Sequence, residues 1–118
     1  MRMLLRCSIV AVLVWTPLVA EAGQKKPVQP SFNCHEATTV VERVICSHEE
    51  LAILDLDMVR RYRAAVTTAD PSARKHLQTE QARWLARRNA CTETATRTLQ
   101  QCIEAEYQAR ITQLTTHP

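Results

Sequence analysis

The sequence predicts an all-α fold: a small disulfide-stapled helical bundle with three longer helices and one short N-terminal helix. Three observations predict it. The 118-residue chain holds a single glycine, Gly23, so everything from Gln24 to Pro118 lacks the residue that tight β-hairpin turns favour. Apolar residues recur at helical spacing through successive segments. Four cysteines, Cys34, Cys46, Cys91 and Cys102, fall in a stretch short enough that the core is small and cross-links matter.

The first segment reads as a targeting signal. Arg2 and Arg6 precede an apolar run over residues 7–20, and Ala20-Glu21-Ala22 puts small residues at the positions a signal peptidase reads. Residues 1–22 are therefore expected to be a signal peptide cleaved after Ala22. The run is shorter than the roughly 20 residues of a spanning helix, and Pro17 interrupts it, so no stable membrane insertion is expected after cleavage. Cleavage removes Cys7 and leaves an even set of four cysteines, which in an exported chain reads as two disulfides. Four cysteines allow three pairings, and the sequence does not choose among them. Local spacing favours Cys34–Cys46 and Cys91–Cys102, each closing a short loop and contributing about 2–4 kcal/mol.

Residues 23–30, GQKKPVQP, are polar with two prolines and read as a flexible linker ahead of an ordered domain over residues 31–116. Thr39-Val40-Val41-Glu42 matches a capping box and opens a short helix over 39–46. Ser47-His48-Glu49-Glu50 matches a second box. Behind it Leu51, Leu54, Met58 and Tyr62 recur at helical spacing up to Thr68, with Asp57 placed to pair with Arg61. Asp70-Pro71 gives a cap and a first-turn proline for the third helix, whose stripe is Ala73, Leu77, Trp84 and Leu85. The fourth helix is expected from Thr96 to Leu114, with Leu99, Ile103, Tyr107, Ile111 and Leu114 on one face and Glu106 paired with Arg110. The aromatics Phe32, Tyr62, Trp84 and Tyr107 lie on different elements, as a shared core requires.

Few function classes survive. The formal net charge is +3, too weak to mark a nucleic-acid binder, and export disfavours that partner further. Glycine-rich phosphate loops are absent. Cys34-His35 and Cys46-Ser47-His48 lack compact zinc-ligand spacing, and C-x-x-C-H is missing, so neither a metal nor a cofactor is expected. No serine lies in a nucleophile elbow, and no catalytic residue is assigned. Arg60, Arg61, Arg63, Arg74, Lys75, Arg83, Arg87 and Arg88 form two basic stretches that read as solvated faces paired with nearby acids. Glu49, Glu50, Asp55 and Asp57 form a carboxylate group near the start of the second helix, where acids suit the helix dipole.

Several motifs together carry a family resemblance. They are Ser31-Phe32-Asn33-Cys34, the run from Thr39 to Ser47, Glu50-Leu51-Ala52-Ile53-Leu54-Asp55, Tyr62, Gln81-Ala82-Arg83-Trp84-Leu85, Arg88-Asn89-Ala90-Cys91, Cys102, Tyr107-Gln108-Ala109-Arg110-Ile111 and Leu114. From Ser31 to Leu114 the chain resembles the lysozyme inhibitor LprI-like domain, a family of small exported bacterial proteins. The resemblance implies a helical, disulfide-bonded, periplasmic or secreted domain that inhibits lysozyme by occluding its active cleft. The expected function is thus a non-enzymatic binder of a protein partner, host lysozyme. An envelope interaction module without inhibitory action is the alternative. Animal lysozymes are cationic, so Glu49, Glu50, Asp55 and Asp57 are the candidate partner-binding residues.

Overall fold

Thr39 opens the first α-helix as the sequence predicts. Its hydroxyl accepts from the Glu42 N–H at 3.0 Å, and the Glu42 carboxylate accepts from the Thr39 N–H at 3.0 Å. This reciprocal cap satisfies two backbone donors that a helix start would otherwise leave unpaired. The computed structural model describes residues 14–15, 23 and 25–116, and the expected cleavage site at Ala22 lies outside the described residues. Four α-helices follow in order: α1 (Val40–Ser47), α2 (Glu49–Thr68), α3 (Pro71–Asn89) and α4 (Leu99–Thr116). A single 3-10 turn, Cys34–Glu36, precedes them. The described residues contain no strand, only an isolated bridge between Thr94 and Arg97.

The second predicted capping box does not form. α1 runs through Ser47, leaving only His48 between α1 and α2. A residue in helical conformation cannot turn its side chain onto the next helix's first N–H groups. The Ser47 hydroxyl instead donates to the Val44 carbonyl at 3.0 Å, and His48 serves as the cap of α2 through its backbone alone. The α3 start matches expectation, with the Asp70 carboxylate accepting from the Ala73 N–H at 2.9 Å and Pro71 in the first turn. α4 begins at Leu99 rather than Thr96, because residues 94–97 close a tight turn and Thr98 and Gln101 make their own reciprocal cap at 3.0 and 3.2 Å.

Two residues connect α2 to α3, which forces the chain to reverse. Cross-helix bonds give the directions. Glu50 meets Gln100, Asp55 meets Tyr107 and Arg61 meets Thr115, so α2 and α4 run parallel. Gln81 meets Arg110 while Arg88 meets Tyr107, so α3 runs against both. α1 packs across this three-helix bundle. The core is Val41 and Ile45 of α1, Leu51 and Met58 of α2, Trp84 of α3, and Ile103, Tyr107 and Leu114 of α4. Each large apolar side chain buried here contributes roughly 1.5–3 kcal/mol. Trp84 and Tyr107 meet edge to face with centroids 5.2 Å apart, the arrangement ring quadrupoles favour. Leu85, assigned to the inner stripe from sequence, is exposed, because it stands about 100° round the helix from the buried line through Trp84 and Arg88.

Both disulfides are present. Cys34–Cys46 holds the 3-10 turn against the end of α1, and Cys91–Cys102 ties the end of α3 to the first turn of α4. Each spans a short loop, 12 and 11 positions respectively. Ahead of the 3-10 turn Pro30 is buried and the Ser31 N–H donates to Asp55. Among the described residues no helix is long and apolar enough to cross a membrane.

Candidate functional site

The inward stripe of each long helix carries a polar residue among its apolar ones. On α2 the stripe is Leu51, Asp55, Met58; on α3 it is Trp84, Arg88; on α4 it is Ile103, Tyr107, Arg110, Leu114. Positions three or four apart share a helix face, so helix geometry alone aims Asp55, Arg88 and Tyr107 at the same interior. They meet there. The Tyr107 hydroxyl donates to Asp55 Oδ1 at 2.8 Å and accepts from Arg88 Nη1 at 3.0 Å. The Ser31 N–H donates to Asp55 Oδ2 at 2.6 Å. Arg88 Nε and Nη2 donate to Asn89 Oδ1 at 3.1 and 2.8 Å. Asp55 and Arg88 are 2% and 4% exposed.

A phenol bridges the two buried ions. Each charge is hydrogen-bonded without direct contact with the other, which meets the requirement that buried charges be paired and satisfied. The Arg88 guanidinium also lies 5.6 Å from the Trp84 ring centroid and 5.8 Å from that of Tyr107, within cation–π range. The Trp84 indole N–H donates to the Glu106 carbonyl at 2.9 Å, so the core's largest side chain leaves no donor unmet. Burial raises the Tyr107 phenol above its ordinary value, with the Asp55 charge adding to the shift and Arg88 opposing it. The phenol therefore keeps its proton.

Beside this network lies a shallow cleft of about 380 Å³, floored by Asp55 and Arg88 and rimmed by Phe32, Glu42, Tyr62 and Arg63. Among the described residues no three His, Cys, Asp or Glu side chains converge as a metal site.

The four acids singled out from sequence part company. Asp55 points into the core, so its carboxylate serves the internal network. Leu51, Asp55 and Met58 share the buried stripe, and an acid standing in such a stripe is the signal that marks it as internal. Glu49 and Glu50 are exposed at the start of α2, where the Glu50 carboxylate accepts from Gln100 Nε2 at 2.6 Å. Asp57 lies about two turns further along α2 and binds Arg60 and Arg61, the latter at 3.0 Å. Partial burial raises its carboxyl, but the hydrogen bonds from Arg61 and Arg60 outweigh this and hold it below the ordinary carboxylate value. Glu49 and Glu50 therefore form one surface group and Asp57 another.

The basic stretches are largely occupied. Arg83 pairs with Glu80 at 3.0 Å, Arg87 with Glu106 at 3.8 Å, and Arg88 is interior. The expected Glu106–Arg110 pair is absent, since Arg110 turns inward to Gln81 Oε1 at 3.0 Å and Gln113 Oε1 at 3.3 Å. Sequence reasoning missed Arg88, Tyr107 and Arg110 as a buried polar set, although each stands in its helix's inner stripe.

At one end of the bundle, the starts of α2 and α4 come together with the segment joining α3 to α4. Residues 92–98 of that segment are all exposed. The Thr94 N–H donates to the Arg97 carbonyl at 2.8 Å, and the Arg97 N–H returns to the Thr94 carbonyl at 3.3 Å. The Cys91–Cys102 bridge closes the segment at its base.

Compared with known proteins, residues 33–115 match the family model described as Lysozyme inhibitor LprI. No curated protein and no solved structure matches the chain.

Proposed function

The chain belongs to the lysozyme inhibitor LprI family, and from that premise we propose that it is an exported, non-enzymatic protein that binds host lysozyme and inhibits it by contact. The family match over residues 33–115 carries this reading. Two disulfides are consistent with an oxidising compartment, periplasmic or extracellular. Removal of residues 1–22 as a signal peptide fits that destination and leaves every remaining cysteine paired.

A binding role also fits the interior chemistry. The buried Asp55 and Arg88 groups are joined through the Tyr107 hydroxyl, which ties the three long helices into a stiff scaffold able to present a binding surface. In this reading the exposed acids Glu49 and Glu50 meet the cationic exterior of lysozyme, with Asp57 on the flank and Asp55 supporting the fold from within.

The test is a cell-wall lysis assay in which the oxidised protein is titrated against c-type, g-type and i-type lysozymes. Saturable inhibition at stoichiometric protein, lost on reduction of the disulfides, is the expected result. No inhibition of any of the three would overturn the inhibitor reading and leave the envelope interaction module in its place.

A further inference from the structure

We infer that the disulfide-closed turn formed by residues 92–98 enters the catalytic cleft of lysozyme, with Arg97 facing the catalytic carboxyl groups and Glu49 and Glu50 meeting the cationic rim. The inference rests on the inhibitor reading above and assigns that reading a contact surface.

The turn is exposed yet anchored at every join. Cys91 is buried at its base, and its N–H donates to the Arg88 carbonyl at 3.1 Å. Cys102 lies across the bridge with a Cα–Cα distance of 5.7 Å. Thr98 and Gln101 cap each other at the far join, and the paired Thr94 and Arg97 backbones close the tip. The turn is thus restrained at its base and across its tip, and a restrained loop loses less entropy on association than a free one. The side chains between Thr92 and Thr98 are mostly small: four threonines and one alanine, with Glu93 and Arg97 as the two charges. A narrow, polar protrusion of this kind suits a groove built to take a sugar chain, where hydroxyls are the expected partners.

Charge points the same way. Lysozyme cleaves glycosides with a pair of carboxyl groups, one of which is held ionised. A guanidinium matches a carboxylate in shape and charge and binds it through two N–H donors. Arg97 is the one basic residue of the turn, and among the described residues it shares with Arg43, Arg63 and Arg74 the lack of an ion-pair partner. Around the turn the sign reverses. The Glu50–Gln100 hydrogen bond ties the start of α2 to the first turn of α4, so Glu49 and Glu50 stand beside the turn. Arg97 borders the tip while Glu93, Glu49 and Glu50 stand to its sides, and a cation set among acids complements an acidic cleft in a basic protein.

The experiment compares the oxidised protein with Arg97→Glu, Ala95→Trp and Lys75→Glu in the same lysis assay. Lys75 lies near the start of α3, at the opposite end of the bundle, and its reversal changes net charge by the same amount as Arg97→Glu. Melting curves and circular dichroism matched to the parent establish that each variant is folded. The expected result is that Lys75→Glu inhibits as the parent does while Arg97→Glu and Ala95→Trp each need about tenfold more protein or worse. If the parent inhibits and both turn variants keep its potency, the turn is not the contact, and the inhibitor reading stands without it. If Arg97→Glu and Lys75→Glu weaken inhibition equally, net charge rather than the turn is responsible and the inference fails. If the parent does not inhibit, the function and the inference fall together.

Discussion

The Tyr107 hydroxyl donates to the Asp55 carboxylate at 2.8 Å, joining α4 to α2 across 52 positions of sequence. The same oxygen accepts from Arg88 of α3, so one hydroxyl holds all three long helices. Removing it leaves a buried carboxylate one donor short and a buried guanidinium one acceptor short. Tyr107→Phe preserves the ring and its contact with Trp84, so its effect isolates the hydroxyl. We expect a loss of about 1–3 kcal/mol in chemical denaturation. In a double-mutant cycle with Asp55→Asn, the two changes should be less than additive, since they disrupt one shared bond.

Tyr107 also gives the fold an alkaline limit. Burial raises the phenol's pKa in the folded state above its ordinary value of 10.0. Once the pH exceeds that ordinary value, the unfolded chain releases the proton and the folded one retains it. The folded state then binds more protons, so stability falls as pH rises. Melting temperatures measured from pH 8 upward should decline above about pH 10. The decline should be shallower in Tyr107→Phe.

Glu42 sets a corresponding acid term with the opposite sign. The N–H groups of Thr39 and Thr38 hold its carboxyl below the ordinary value of 4.5. Stability from this cap is fully present above that value and is lost as pH falls through the lowered one. Glu42→Ala removes both backbone contacts and should lower stability by about 0.5–2 kcal/mol at neutral pH. Its stability should vary less with pH below the ordinary carboxylate range than the parent's does. Equal pH slopes in the two proteins would show that the cap does not titrate with folding.

Arg88 and Arg110 are both 4% exposed and differ in how well they are satisfied. Arg88 belongs to the Asp55–Tyr107 network, whereas Arg110 Nη2 has no hydrogen-bond partner among the described residues. Desolvation lowers the Arg110 pKa, the direction expected for a cation poorly compensated by its surroundings. Arg88→Met leaves Asp55 as a buried anion without its counter-charge, and should destabilise by about 3 kcal/mol or more. Arg110→Met removes an unmet donor together with two glutamine contacts and should change stability by less than about 1.5 kcal/mol. Urea unfolding of the two variants in parallel checks the order, and a larger loss for Arg110→Met would contradict it.

By itself the sequence determined the helices, most of their starts and the disulfide candidates, because these are local properties. Thr39 with Glu42, and Asp70 with Pro71, act within one turn of chain and do not need a partner helix. The lack of glycine after Gly23 and the 3.6-residue periodicity are equally local. Only the tertiary structure decided which polar residues join the inward apolar stripes and what satisfies them there. Asp55 resembled a surface acid when read beside Glu49, Glu50 and Asp57, and Arg88 resembled one more exposed cation in a basic run. Burying either alone would be prohibitive, and burial becomes favourable only when Tyr107, far away in sequence, arrives between them. Ser47 gives the same lesson on a smaller scale: its motif fits a cap, but α1 extended through it and took its conformation. Local chemistry set the elements, whereas the cost of an unpaired buried charge, which depends on distant partners, set how they meet.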